Sequence, residues 1–504
     1  MIARGAKGFL CVFQNGTLGE VFPGQVNRGM AMNRGVSKAR ATFVVVALLM
    51  SSGLAARGQE EGRHLRPWPD NPRYWQYEGR PVRLVGGSKD DNLFQLPDLK
   101  QHLDEIKAAG GNYVRNTMSD RPDKGFEVYP FAKRDDGKYD LSKWNDEYWN
   151  RFERFLALTA ERDIIVQIEV WDRFDYTDVR QKNWQPHPYN PANNVNYSYK
   201  ESGFAKEYPD HPGRNKQPFF FTPPSLDDNR VVLPFQRAQV DKMLSYSLKH
   251  PHVLYCIDNE TSGKEEWATY WAEHIRQRAK EAGVDVCITE MWDDWNVKGG
   301  RHLMTFDHPQ RYVFVDISQN AHNRGQEHWD NLMWVRDYVA KRPRPINHVK
   351  IYGADGGRHG GGDRDAVEKL WRNLIGGAAS ARFHRPDSGI GLNELASRHI
   401  RAFRMLEAEC DLFGCEPDAD SQRLSKRDAN EAYLTCLPGQ EYVLYFPGRG
   451  DVSLDLKETQ APFRVRWLDI EAGRWIEADA VPGGSNIRLA SPVDGHAVCL
   501  VQRK

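Results

Sequence analysis

The stretch richest in potential chemistry is Val253-Leu254-Tyr255-Cys256-Ile257-Asp258-Asn259-Glu260, an apolar run between Pro251 and Gly263 that ends in an Asn-Glu pair. β-Branched and aromatic residues at period two from Val253 to Ile257 predict a buried strand. Polar residues at the C-terminal end of such a strand face the site in parallel barrels. A carboxylic acid that must hold its proton near neutral pH needs a raised pKa, and an apolar strand end with a neutral amide neighbour predicts one through desolvation. Such a group suits proton donation to a leaving oxygen, as glycosidic-bond hydrolysis requires. An isolated Asn-Glu pair equally well caps the next helix, so the neighbouring segments must decide.

Those segments alternate strand and helix. Val82–Gly86 reads as a first strand, followed by an amphipathic helix over Leu99–Ala109 that Gly110 and Gly111 close. Asn112–Arg115 and Ile164–Val170 read as the second and third strands, the latter a nearly unbroken apolar run as expected where both faces are buried. Residues 171–229 lack periodicity and carry many Pro, Asn, Tyr and Phe residues, which predicts a long loop covering the site. After the strand at 253–257 come Val286–Thr289, Tyr312–Asp316, His348–Tyr352 and Ala379–His384. Eight strands with intervening helices predict an α/β fold, a (β/α)8 TIM barrel over residues 62–418.

The texture changes beyond Cys415. Short alternating runs such as Glu441–Phe446, Val452–Leu456 and Phe463–Leu468, separated by Gly-containing turns, predict a small antiparallel β-sandwich over residues 422–504. Trp467 and Trp475 there read as core. At the other end, Arg34, Lys38 and Arg40 precede the apolar run Ala41–Met50 and then small residues up to Ala56. This predicts a signal peptide over 32–58, behind an upstream extension of residues 1–31, and hence a secreted or periplasmic protein with no membrane attachment after cleavage.

The 69 basic and 69 acidic side chains balance across 504 residues, which argues against nucleic acid as a partner. Fifteen Trp, 20 Tyr and 22 Phe supply the flat faces on which sugar rings stack, though large aromatic cores give the same count. Of the seven cysteines, Cys410 with Cys415 and Cys436 with Cys499 could pair if oxidised. No Cys/His spacing matches a zinc site, so no metal and no cofactor is assigned.

With the strands counted, the chain resembles the clan A glycoside hydrolases. The resemblance implies an Asn-Glu acid/base at the end of the fourth strand, here Asn259 and Glu260, and a nucleophilic carboxylate at the end of the seventh. Ile351-Tyr352-Gly353-Ala354-Asp355-Gly356 departs from that pattern by offering Asp355 in place of Glu. Retention needs the two carboxyl groups roughly 5–5.5 Å apart and inversion about 6.5–9.5 Å. A retaining course is the expectation, with Glu290 as the reserve nucleophile. Tyr442–Pro447 followed by Val465-Arg466-Trp467 resembles the C-terminal sandwich of secreted bacterial hydrolases that is described as collagen-binding.

Other strand ends complete a carbohydrate site. They are Asp90, Asp91 and Asn92 after strand one, Arg115 and Asn116 on strand two, and Trp171 and Asp172 on strand three. Trp292, His322, Tyr352, Arg382 and His384 follow on strands five to eight. The cations Arg115, Arg173, Lys350, Arg382 and Arg385 would suit a sulfate- or uronate-bearing chain, with internal salt bridges as the competing explanation. The Gly-rich segment 356–363 reads as a lid beside Asp355. Two other readings stand beside hydrolysis: a noncatalytic glycan-binding barrel, and an adhesion protein in which the sandwich does the binding.

Overall fold

A computed structural model describes residues 64–118, 124–179, 181–353 and 360–504. The extension, the signal segment, Asp355 and residues 356–359 of the Gly-rich segment lie outside the described residues. Eight strand–helix units follow one another. The strands are β1 (Leu84–Gly87), β2 (Tyr113–Thr117), β3 (Ile165–Asp172), β4 (Val253–Asn259), β5 (Ile288–Thr289), β6 (Val315–Asp316), β7 (Ile346–Asn347) and β8 (Ser380–Phe383). After them in turn come α1 (Leu99–Ala108), α2 (Asp146–Ala160), α3 (Leu233–Ser247), α4 (Glu265–Ala282), α5 (Gly300–Phe306), α6 (Gly325–Tyr338), α7 (Asp363–Ile375) and α8 (Glu394–Glu407).

Parallel ladders join β2, β3, β4 and β5 into one sheet, β6 to β7, and β8 to β1. Further backbone bonds bridge the seams: Asn112 N donates to Val85 O at 2.9 Å, Val313 N to Ile288 O at 3.1 Å, Ala379 N to Ile346 O at 2.8 Å and Arg382 N to His348 O at 3.0 Å. The ladders fall into three parts, and β5, β6 and β7 are only two residues long. The seventh strand starts earlier than the apolar run His348–Tyr352 predicts. Ile346 and Asn347 pair with Val315 and Asp316, while Ile351 makes only an isolated bridge to Phe383.

Between the strands, Leu84, Tyr113, Ile165, Leu254, Cys256, Phe314 and Val349 form a buried apolar floor. Each such aliphatic side chain stabilises the fold by about 1.5–3 kcal/mol. The alternate residues of the same strands, Val114, Val166, Ile168 and Tyr255, pack against α1 to α4. Two faces buried at once explain why β3 and β4 read as nearly continuous apolar runs.

The β3–α3 connection is ordered by its own aromatics: Tyr176 stacks on Phe219 at 3.8 Å, and Tyr189 Oη donates to Gln239 Oε1 at 3.0 Å. A hairpin, Phe131–Lys133 with Tyr139–Trp144, sits in the β2–α2 connection, where Gly137 takes φ +81° in the turn.

The C-terminal region has β9 (Glu416–Pro417), β10 (Leu424–Ser425), β11 (Tyr433–Leu437), β12 (Glu441–Phe446), β13 (Asp451–Asp455), β14 (Phe463–Asp469), β15 (Arg474–Val481), β16 (Asn486–Ala490) and β17 (Ala497–Arg503). They form a six-stranded antiparallel sheet, β9-β11-β12-β17-β14-β15, and a three-stranded one, β10-β13-β16. One apolar cluster draws on both, with Val452, Leu454 and Leu489 beside Leu444, Val465 and Trp467. The other face of the large sheet packs on the helices of the first region, where Trp371 of α7 stacks on Tyr445 at 5.5 Å.

All six described cysteines are free. Cys436 on β11 and Cys499 on β17 lie on either side of β12, two strand spacings or about 9.5 Å apart, beyond disulfide reach. Cys410 Sγ donates to Leu406 O at 3.2 Å, and Cys415 Sγ lies 3.9 Å from Glu441 Oε1.

Candidate active site

Glu260 follows the last residue of β4 in a left-handed conformation, φ +44°. That conformation is costly for a side chain with a Cβ, and such strain concentrates at functional sites. Its carboxylate borders a cleft of 310 Å³ together with Asn259, Lys350, Tyr352, His384 and Asp91, with Phe174, Gln181 and Asn183 of the β3–α3 loop on the opposite wall. Three donors converge on one oxygen. Lys350 Nζ lies 2.6 Å from Oε1, Gln319 Nε2 donates to it at 2.8 Å, and Tyr352 Oη donates to it as well.

This environment corrects the expected ionisation. Burial pushes the Glu260 pKa upward, but the Lys350 ammonium and the bonds from Lys350 and Tyr352 outweigh it and hold the carboxyl far below its usual range. Glu260 is therefore a carboxylate and not a stored acid. Lys350 also donates to Asn259 Oδ1 at 2.8 Å, and Asn259 Nδ2 donates to Asp172 Oδ2 at 3.0 Å, so the β3, β4 and β7 ends are tied together.

Glu290, at the end of β5, has the opposite fate. Fully buried, it accepts from the backbone N–H groups of Asp258 and Met291 at 2.9 and 2.8 Å. Burial first, and the neighbouring Asp258 second, push its pKa well above the carboxylate range, while Asp258 rises to about 7. Glu290, expected as the reserve nucleophile, is thus enclosed in the wall and does not line the cleft. Asp355 lies outside the described residues.

The floor of the cleft is an ion network. Arg115 Nε lies 2.6 Å from Glu169 Oε2, and its Nη1 lies 3.2 Å from Asp91 Oδ1. Arg382, His384 and Arg385 approach Asp91 at 3.6, 3.7 and 3.3 Å. Against the upward pull of burial, Arg115 first, with the nearby His384, Arg385 and Arg382, holds Asp91 well below its usual range. Asp90 pairs with Lys124 and comes within 4.0 Å of Arg385. The basic side chains expected to greet an anionic sugar are thus matched by internal carboxylates. Arg173 differs, donating to Asn215 Oδ1 at 2.7 Å with its guanidinium over Phe220.

Of the residues expected at the site, Asp91, Asn259, Tyr352 and His384 line the cleft with Glu260, Asp172 bonds Asn259, Arg115 bonds Glu169 and Asp91, Arg382 bonds Val349 O and Ser88, and Asp90 pairs with Lys124. Others lie elsewhere. Trp171 is buried in the outer layer against Phe219, Trp267 and Trp271. Asn116 Oδ1 accepts from Phe94 N at 3.1 Å, and Asn92 is buried at the start of a short helical turn. Trp292 is buried with Nε1 on Thr305 Oγ1 at 2.7 Å. His322 stands at the rim, stacked on Trp295 at 4.3 Å and edge-on to Tyr352 at 5.2 Å. The sequence reading missed Gln319, Glu169, Asp293 and Trp295. Asp293 is partly buried on the β5–α5 loop, with Ser262 Oγ donating to its Oδ2 at 3.4 Å; burial first and the charge of Glu260 second raise its pKa.

Among the described residues one group has metal-like spacing: His399, Glu471 and His496, with ligand atoms within 4.8 Å of one another. The tautomer argues against a metal. Trp371 Nε1, which can only donate, bonds His399 Nδ1 at 2.8 Å, so in the neutral ring the proton sits on Nε2, the atom a metal would need.

No known family profile matches this chain, and no curated protein matches it. Solved structures do. A glycoside hydrolase, 11% identical, superposes with a TM-score of 0.62 over 88% of this chain and 98% of its own. A glycoside hydrolase family 5 structure from Bacteroides vulgatus ATCC 8482, 13% identical, gives 0.60 over 88% and 95%. An α-amylase from Anoxybacillus, 14% identical, gives 0.50 over 88% and 96%. The chain has the mixed α/β fold of glycoside hydrolases.

Proposed function

We propose that the chain is a secreted glycoside hydrolase that cleaves O-glycosidic bonds of an oligo- or polysaccharide in a (β/α)8 barrel, with the C-terminal sheets forming a sandwich docked on it. The observation that carries this reading is Glu260: a strained, ionised carboxylate at a strand end, with Oε1 held by three donors and the cleft beside it. A carboxylate so held suits attack on, or charge stabilisation of, an anomeric carbon. The proton for the leaving oxygen then comes from a second carboxyl. Asp293, whose surroundings raise its proton affinity, fits that role among the described residues. Asp355, two residues beyond the described part of the seventh strand end, is the alternative.

Paired internal charges favour a neutral chain over a sulfated or uronate-bearing one. Secretion rests on the apolar run Ala41–Met50 behind Arg34, Lys38 and Arg40. The test is digestion of a glycan panel with anomer-resolved product analysis, alongside Glu260→Gln. Turnover should collapse in the variant while binding persists. Binding without turnover by the native chain would support a glycan-binding barrel instead. Asp293→Asn and Asp355→Asn separate the two candidate acids, because loss of the acid slows poor leaving groups far more than activated aryl glycosides.

A further inference from the structure

Trp295 is 59% exposed, yet it does not sit on a loose tip. Its segment is closed by Asn296 N on Asp294 Oδ1 at 3.0 Å, Gly299 N on Asn296 O at 2.7 Å and His302 Nε2 with Asp294 O at 2.8 Å. Val297, two residues on, is fully buried and anchors the loop in the core. Asn323 Nδ2 donates to Trp295 O at 3.2 Å, and the His322 ring stacks on the indole at 4.3 Å with an interplanar angle of 19°. The residue with the largest apolar face is therefore held rigid and turned to water. Exposed aromatic surface of this kind marks recognition.

Its position says what is recognised. His322 contacts Tyr352 edge-on at 5.2 Å, and Tyr352 Oη donates to Glu260, so one continuous aromatic path leads from the reacting carboxylate to the indole. The geometry points to Trp295 as a stacking platform, braced by His322, for a sugar ring of the substrate chain beyond the one that reacts. The inference rests on the hydrolase reading and extends it. A platform of this kind selects a chain of several sugars over a disaccharide, and it binds through C–H faces, without demanding charge.

The test uses the Glu260→Gln chain, so that ligands survive, with and without Trp295→Ala. The probes are the hexasaccharides and disaccharides of β-1,4-linked glucose, mannose and xylose, titrated calorimetrically. The expected result is a roughly 3- to 10-fold weaker affinity for a bound hexasaccharide, the size of one aromatic contact, and less than 2-fold for the disaccharide. Trp295→Phe, which keeps a ring, should retain most of the affinity, and circular dichroism checks that each variant is folded. Unchanged hexasaccharide affinity in folded Trp295→Ala overturns the platform and leaves the hydrolase reading intact. An equal loss for both lengths also overturns it. Failure of the parent chain to bind any probe, with no digestion of them by the native chain, counts against the hydrolase reading and the platform together. A fall in oligomeric mass without an affinity change would assign the indole to a second copy of the chain.

Discussion

Two glutamates end neighbouring strands of this protein, and their surroundings treat them in opposite ways. Glu260 after β4 meets an ammonium, an amide and a phenol, and stays ionised beside a cleft. Glu290 after β5 is enclosed in the wall, bonded only to backbone N–H groups on one oxygen, and keeps its proton. Residue type and strand position are the same; the neighbours differ. A nucleophile or charge stabiliser needs the first setting, whereas the second is a neutral hydrogen-bonding peg that fixes the β4 and β5 backbones. The contrast also shows why desolvation alone is a poor guide at a strand end: it acts on both groups, and the adjacent ammonium with its hydrogen bonds reverses it only at Glu260.

The largest expected effect separates the two sites outright. Glu260→Gln should lower kcat by roughly 10²- to 10⁴-fold, whereas Glu290→Gln should leave kcat within about 3-fold, since an amide replaces a group already neutral. Steady-state rates on whichever glycan the native enzyme digests check this. A comparable loss in both variants would break the contrast.

Lys350→Met sharpens the same point through pH. Removing the cation that depresses the Glu260 pKa lets the carboxylate take up a proton more readily, so the acid limb of kcat/KM should move to higher pH. The ratio of kcat/KM at pH 5 to that at pH 7 should therefore fall below that of the native chain, and an unchanged ratio would count against Lys350 as the cation that keeps Glu260 ionised.

Glu290→Ala should destabilise the chain by about 1–3 kcal/mol, because the N–H groups of Asp258 and Met291 lose their acceptor, while Glu290→Gln should cost less. Urea unfolding of the two variants checks the order.

How much of this was legible in the sequence follows from what each feature depends on. The strand ending at Glu260 announced itself by its own residues, as did the strand–helix alternation and the change of texture after Cys415. Of the partners of Glu260, Tyr352 and Lys350 were read as site residues but not as its partners, and Gln319 was not read at all. Lys350, Tyr352 and Gln319 lie 59 to 92 positions away and reach it through the curvature of the strands, which leaves no periodic trace. Trp171 and Trp292 misled because a strand-end aromatic can turn outward to the helices instead of into the cleft. Helices α5, α6 and α8 went unassigned, and so did the hairpin at 131–144, although its Asp135-Asp136-Gly137 turn was there to be read. Trp295 had one faint signal, a second Trp set among Asp and Asn residues, where a core residue would be out of place.

A smaller effect concerns stability. Burial raises Asp316 from its ordinary value to about 7, so the folded state binds this proton more tightly than the unfolded state does. Its contribution is present in full below about pH 4 and is lost as pH rises from 4 to 7. Asp316→Asn should flatten that part of the stability–pH curve, which thermal unfolding across the range would reveal.

The most direct measurement follows the two carboxyls themselves. In a chain with ¹³C-labelled glutamate side-chain carboxyls, the resonances lost in Glu260→Gln and in Glu290→Gln are assigned by difference and titrated. The account predicts that the Glu260 signal keeps its ionised shift down to pH 4, while that of Glu290 keeps its protonated shift at pH 7. A Glu260 signal that titrates at or above pH 5 would contradict it.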